Sequence, residues 1–160
     1  MAEGHASSGV LEVVVVSPAR QLYEGEAQWV TLPAWDRVGE RSGGRYRAAD
    51  PGDLVVGQLG IRPGHAQLVA ALGAGPLRIG LAGGQVTRFA VQGGFVKVGE
   101  NRVTILVDRA VTEADVNEAD ARRELEETIA ELQHPRTDEE FADLLERRAW
   151  SETRIKLASR

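Results

Sequence analysis

The stretch LRIGLAGGQVTRFAVQGGFVKVGENRVTILVDRA, residues 77–110, decides the fold. It holds four β-prone segments, 77–81, 86–91, 95–98 and 103–107, separated by Gly83-Gly84, Gly93-Gly94 and Gly99-Glu100-Asn101. β-Branched and aromatic residues suit a pleated surface, whereas glycine supplies the positive φ that tight turns demand. Short strands at this spacing predict an antiparallel sandwich or flattened barrel.

Toward the N-terminus the same style continues. Residues 10–17 form a β-branched run, 28–32 resemble it, and Glu24-Gly25-Glu26 reads as the turn between two strands. Residues 1–9 are small and polar and read as a frayed end. Residues 33–58 contain Gly43-Gly44 and Pro51-Gly52 with little periodicity, and read as a long inserted loop.

Beyond residue 110 the punctuation stops. All eighteen glycines lie before residue 100, and glycine inside a helix costs about 1 kcal/mol relative to alanine, so its absence from 101–160 favours helices. Thr112 and Asp115 are spaced like a capping box, with Ala114, Ala121, Leu125, Ile129 and Leu132 along one face. His134-Pro135-Arg136 ends this helix. Thr137 and Glu140 open a second, whose apolar positions are Phe141, Leu144, Leu145, Trp150, Ile155 and Leu157. The fold class is all-β plus α: a flattened antiparallel β-sandwich over 10–110, carrying the inserted loop at about 33–58, followed by a two-helix hairpin over 111–160.

Composition narrows the function. A chain of 160 residues that is 42% hydrophobic can build one core. With no cysteine there is no disulfide framework and no thiolate chemistry, which points to a reducing compartment. No apolar run approaches the roughly 20 residues needed to span a bilayer, and no signal-peptide pattern opens the chain, so a soluble protein is expected. Residues 1–110 carry 11 basic and 10 acidic side chains, and 111–160 carry 8 and 14, a balance that argues against nucleic acid.

Catalysis finds little support. The three histidines, His5, His65 and His134, do not assemble a metal set, and Gly73-Ala74-Gly75-Pro76 lacks the lysine and hydroxyl of a phosphate-gripping loop. The charge asymmetry of the tail is more informative. Residues 113–133 hold eight acids against two arginines, whereas 147–160 hold five bases against Glu152 alone. Basic groups near a helix C-terminus complement its dipole, and they could equally dock an acidic partner.

Two further stretches place the chain in a family. GQLGIRPGHAQLVAALGAGPLRI, residues 57–79, and FAVQGGFVKVGENRVTILVDRA, residues 89–110, closely resemble the epsilon subunit of the rotary F-type ATP synthase. The first carries the family's glycine, proline, glycine, histidine turn at Gly60, Pro63, Gly64 and His65, followed by a helical-looking apolar stretch and a strand. The second carries its paired-glycine turn and its late strand, and the opening around Val15 to Pro18, Leu22, Tyr23 and Gly25 extends the similarity over nearly the whole chain.

The resemblance implies a non-catalytic rotor subunit without a cofactor. Its partners would be the gamma subunit, the membrane ring of c subunits and the catalytic beta and alpha subunits, with no nucleic acid and no direct membrane insertion. It would be peripheral on the cytoplasmic face of the cell membrane. It also implies a mobile hairpin that extends along the stalk to suppress ATP hydrolysis or folds back on the sandwich. Gln58 and His65 are then expected on the side facing the ring and gamma, and Arg147, Arg148, Arg154 and Lys156 on the inhibitory interface.

Two departures stand out. Where some family members bind ATP through Ile or Leu, Asp, two spacers, Arg and Ala, this chain has Val116, Asn117, Glu118, Ala119, Asp120 and Ala121. An acid replaces the arginine, so ATP is not expected as a regulatory ligand. The segment 33–58 is an insertion relative to the family, and Arg37, Arg41, Arg45 and Arg47 would add contact near the ring. The alternative from the residues alone is a β-sandwich ligand-binding module that dimerises through its helices.

Overall fold

The computed structural model describes residues 9–37 and 54–159. Its elements are β1 (Leu11–Val16), β2 (Gln21–Ala27), β3 (Trp29–Arg37), β4 (Leu54–Ile61), β5 (Leu68–Ala71), β6 (Gly75–Gly80), β7 (Val86–Gly99), β8 (Arg102–Thr112), α1 (Glu118–Glu131) and α2 (Asp138–Ala158). The strand order is β2-β1-β8-β7-β6-β3-β4, with β5 also paired to β7. The long strand β7 organises the sheet: its first half pairs with β6, its second half with β5, and β8 runs along its other edge.

The sheet folds into two layers. Leu11, Val13 and Val15 of β1 and Val30 and Leu32 of β3 stand several strands apart in the order, yet share one buried cluster with Ile61, Leu77, Ile79, Phe89, Val96 and Ile105. Each large apolar side chain removed from water stabilises by about 1.5 to 3 kcal/mol, so this cluster is the main source of stability. β1 and β8 pair in parallel, so the expectation of a wholly antiparallel sandwich fails at that one seam.

Helices follow the strands, as the glycine distribution implied. α1 packs on α2, and α2 lies across β6 and β7, which folds the hairpin back against the sandwich. Trp150 and Leu157 cover Ala90 of β7, with Val111 and Val116 at the margin.

Several local readings are corrected. Glu24-Gly25-Glu26 is not a turn but the middle of β2, paired with Val14, Val13 and Glu12. The chain reverses instead at Ser17 to Arg20, where the Ser17 amide donates to the Arg20 carbonyl at 2.9 Å. Gly25 is small because the Tyr23 ring lies over it, leaving a Cβ only 3.1 Å from the phenol oxygen. Gly93-Gly94 likewise bends a continuous strand rather than ending it, since register with β8 is kept from Gln92↔Arg109 through Gly94↔Val107. The helical-looking stretch after His65 contains strand β5, recruited by pairing with β7.

The loop at 33–58 is shorter than the sequence implied. Its flanks extend β3 and β4 as an antiparallel ladder out to Arg37↔Leu54, because cross-strand pairing outweighs weak local periodicity. Arg41, Arg45 and Arg47 lie outside the described residues.

In the tail, β8 continues to Thr112, and Thr112 and Asp115 close a turn by a 2.8 Å hydroxyl–carboxylate bond. The N-cap of α1 is Asn117, whose side chain accepts from the Asp120 amide at 3.1 Å. The expected apolar stripe is also displaced. A 3.6-residue repeat from Ala121 passes through Leu125, Thr128 and Leu132, and Ile129 sits at its edge, about 70° from its centre. Ala121 and Thr128 are fully buried, while Ile129, Phe141 and Leu145 remain more than two-fifths exposed.

Candidate functional site

Two surfaces collect the residues singled out from the sequence. The first is one end of the sandwich. Arg62 to His65 form a tight turn in which the His65 amide donates to the Arg62 carbonyl at 3.1 Å. The Gly64 amide donates to the Asn101 side chain at 2.7 Å, joining this turn to the one between β7 and β8. In that second turn Glu100 and Asn101 both have positive φ, 51° and 59°, as a two-residue type I′ hairpin requires. His65 is half-buried, and its Nδ1 lies 2.8 Å from the Ala66 carbonyl oxygen. A carbonyl only accepts, so Nδ1 carries the proton in that contact.

Gln58 is not part of this end. It lies within β4 opposite Pro33 and lines a groove of about 270 Å³ against α2, together with Gly75, Pro76, Glu152 and Lys156. Gln58 thus lines the groove against α2, while His65 stands in the turn that follows β4.

Beside the His65 turn lies a surface that sequence reasoning missed. Val69, Phe95 and Leu106 are 68%, 59% and 51% exposed, although all are large and apolar. They sit on adjacent strands: Ala71 pairs with Phe95, Phe95 with Leu106, and Val69 with Lys97. An open hollow of about 530 Å³ adjoins them, lined by Gln67, Val69, Lys97, Glu100, Arg102 and Thr104. The available signal was the lack of polar alternation in Leu68 to Ala71 and Thr104 to Val107, since an antiparallel strand with one wet face alternates.

The second surface is α2. Three of its cations are committed within the hairpin: Arg147 to Glu131 at 3.1 Å, Arg148 to Glu152 at 2.9 Å, and Arg154 to Glu124. Arg154 is the most enclosed of these, also donates to Ser151 at 3.3 Å, and stands 5.5 Å from the Trp150 ring centre. From β8, Arg109 approaches the same ring at 4.9 Å. Gln92 donates to the Glu146 carbonyl at 2.9 Å. Trp150 is thus held between a cation of the sandwich and a cation of its own helix, each attracted to the ring face. Lys156 is exposed and makes no ion pair among the described residues.

At the positions of the departed nucleotide motif, Asn117 caps α1, Asp120 pairs with Arg123 at 3.0 Å, Ala121 is buried and Val116 packs beside Trp150 and Leu157. These side chains serve the helix start. Among the described residues no helix is long and apolar enough to cross a membrane, and no group of three His, Asp or Glu side chains converges as metal ligands.

Comparison with known proteins accounts for this arrangement. Residues 53–113 match the family described as ATP synthase, Delta/Epsilon chain, beta-sandwich domain. An ATP synthase epsilon chain from Herminiimonas arsenicoxydans is 35% identical over 123 residues, 74% of each chain. One from Prochlorococcus marinus (strain MIT 9301) is 28% identical over 151 residues, 92% of this chain and 97% of that one. A chain in the Euglena gracilis mitochondrial ATP synthase, OSCP/F1/c-ring in rotational state 1, superposes with a TM-score of 0.71 at 19% identity, over 96% of this chain and 84% of its own. One in the Tetrahymena thermophila central stalk and c-ring gives 0.54 at 15% identity, over 93% and 96%. The two structures share the fold, the curated relatives share sequence along most of their length, and this protein belongs to the ATP synthase epsilon chain family.

Proposed function

We propose that the chain is a non-catalytic subunit of the central stalk of a proton-translocating F-type ATP synthase. Its sandwich binds the gamma subunit and the ring of c subunits, and its hairpin restrains ATP hydrolysis by the alpha and beta subunits. It associates peripherally with the cytoplasmic face of the membrane. The observation that carries this reading is the exposed row Val69, Phe95 and Leu106, continuous with the His65 turn, on a chain of the epsilon family. Such a row is costly to leave in water and marks a surface that a partner covers.

The hairpin supports the regulatory half of the proposal. Folded back, Arg147 and Arg154 face Glu131 and Glu124 of the neighbouring helix. Separating the helices exchanges these internal acids for those of a partner, so Arg147 and Arg154 become available in the extended state. The buried hydroxyls of Thr128 and Thr153 donate to backbone carbonyls one turn earlier, at 2.7 Å each, which fits packing rather than nucleophilic chemistry. The acid at position 120, where the nucleotide motif has arginine, supports weak or absent ATP binding.

The test is association with a gamma-containing catalytic core. Replacing Phe95 and Leu106 together by glutamate is expected to weaken binding by about a hundredfold or more, since each large side chain contributes about 1.5 to 3 kcal/mol when covered. Unchanged affinity would move the docking face elsewhere.

A further inference from the structure

On the same face of the sheet as Ala90, just past the cover of Trp150 and Leu157, two arginines stand directly opposite each other. Arg78 of β6 pairs with Arg88 of β7, and Thr31 of β3 pairs with Arg78, giving a cross-strand row Thr31–Arg78–Arg88. Directly opposed side chains in a sheet have Cβ atoms about 4.5 to 5.5 Å apart, and like charges placed so destabilise the pair. All three residues are half-buried. No acid pairs with either arginine among the described residues.

Two polar atoms in this row are also unsatisfied. Arg88 Nε and Thr31 Oγ1 are buried without a hydrogen-bond partner. Space is available: Gly60, opposite Thr31 on β4, would bring a Cβ within 4 Å of nothing.

We propose that Thr31, Arg78 and Arg88 form a binding site for a small tetrahedral oxyanion of the phosphate class. Two guanidinium groups supply a planar fork of N–H donors each, and the threonine hydroxyl rotates to donate. One oxyanion answers both charges and gives the buried donors the acceptors they lack. Charge-assisted bonds of this kind are about twice as strong as neutral ones. The site is separate from the nucleotide motif at the start of α1, and stands independently of the rotor assignment.

The probe is inorganic phosphate added to the full chain at constant ionic strength, with the thermal midpoint as readout. The expected result is a midpoint that rises and saturates with phosphate. Arg88→Glu, which gives Arg78 an opposite charge, should abolish the saturable rise and raise the midpoint in phosphate-free buffer. Arg78→Ala provides a second variant and should weaken phosphate affinity by about tenfold or more. An equal phosphate response in wild type and both variants, or a rise that never saturates, is the general salting effect of phosphate and overturns the site.

Discussion

At the residue scale, Gly94 sets the bend of β7. Its φ of 100° is closed to most L-residues, and a Cβ there would run into the Leu106 carbonyl. Gly94→Ala is expected to destabilise the chain by about 1 to 3 kcal/mol, read as a lower urea midpoint, because strain and collision act together. The sequence showed that these glycines break regularity, but only pairing with β8 distinguishes a bend from a turn. Tyr23 provides a second test. Burial pushes its phenol above the ordinary value of 10.0, so the folded chain keeps a proton that the unfolded chain has begun to lose. Its contribution is complete below pH about 10 and disappears as pH climbs through the folded value. Ultraviolet titration of a Tyr46→Phe variant should show Tyr23 ionising later than free tyrosine, and Tyr23→Phe should flatten the alkaline fall in stability. Ionisation at the ordinary value would contradict its burial over Gly25.

At the element scale, the helices were legible as helices but their seams were not. Of the two capping signals the one at Thr137 and Glu140 is the cleaner, and Thr137 caps α2 through the Glu140 amide at 3.0 Å while Thr112 ends a strand. Asn117, overlooked as a cap because it occupied the departed nucleotide motif, does that task for α1. Asn117→Ala should cost about 1 kcal/mol of stability, measured by denaturant unfolding. The docked hairpin depends on fewer contacts than the sandwich, with Trp150 between Arg109 and Arg154 at their centre. Ala90 is buried beneath this helix, and the chain has no cysteine, so Ala90→Cys introduces a lone thiol whose labelling rate reports undocking. In that background Arg109→Ala should accelerate labelling by about tenfold, as expected from a cation–π contact of about 1 to 2 kcal/mol. Arg148→Ala, whose partner lies on its own helix, should leave the rate unchanged. Equal rates for all three chains would mean that the clasp at Trp150 does not hold the hairpin.

At the scale of the whole molecule, the sandwich-then-hairpin order could be read because glycine punctuates one half and is absent from the other. The face used for docking was hidden, since exposed apolar strand residues look like core residues until their orientation is known. Val69 and Phe95 acquire meaning only when β5 and β7 lie side by side. The basic residues of α2 were visible as a charge imbalance, whereas the partners of Arg147 and Arg154 on α1 required the packed hairpin. These features together define an epsilon-family chain whose hairpin is packed against its own sandwich, and the regulatory role proposed for that hairpin is a property of the whole molecule. The measurement that tests this most directly is ATP hydrolysis by a gamma-containing catalytic core lacking this subunit, with the full chain or a version ending after Glu113 added back. The account predicts that both bind and that only the full chain inhibits; failure of the full chain to bind the core would contradict it.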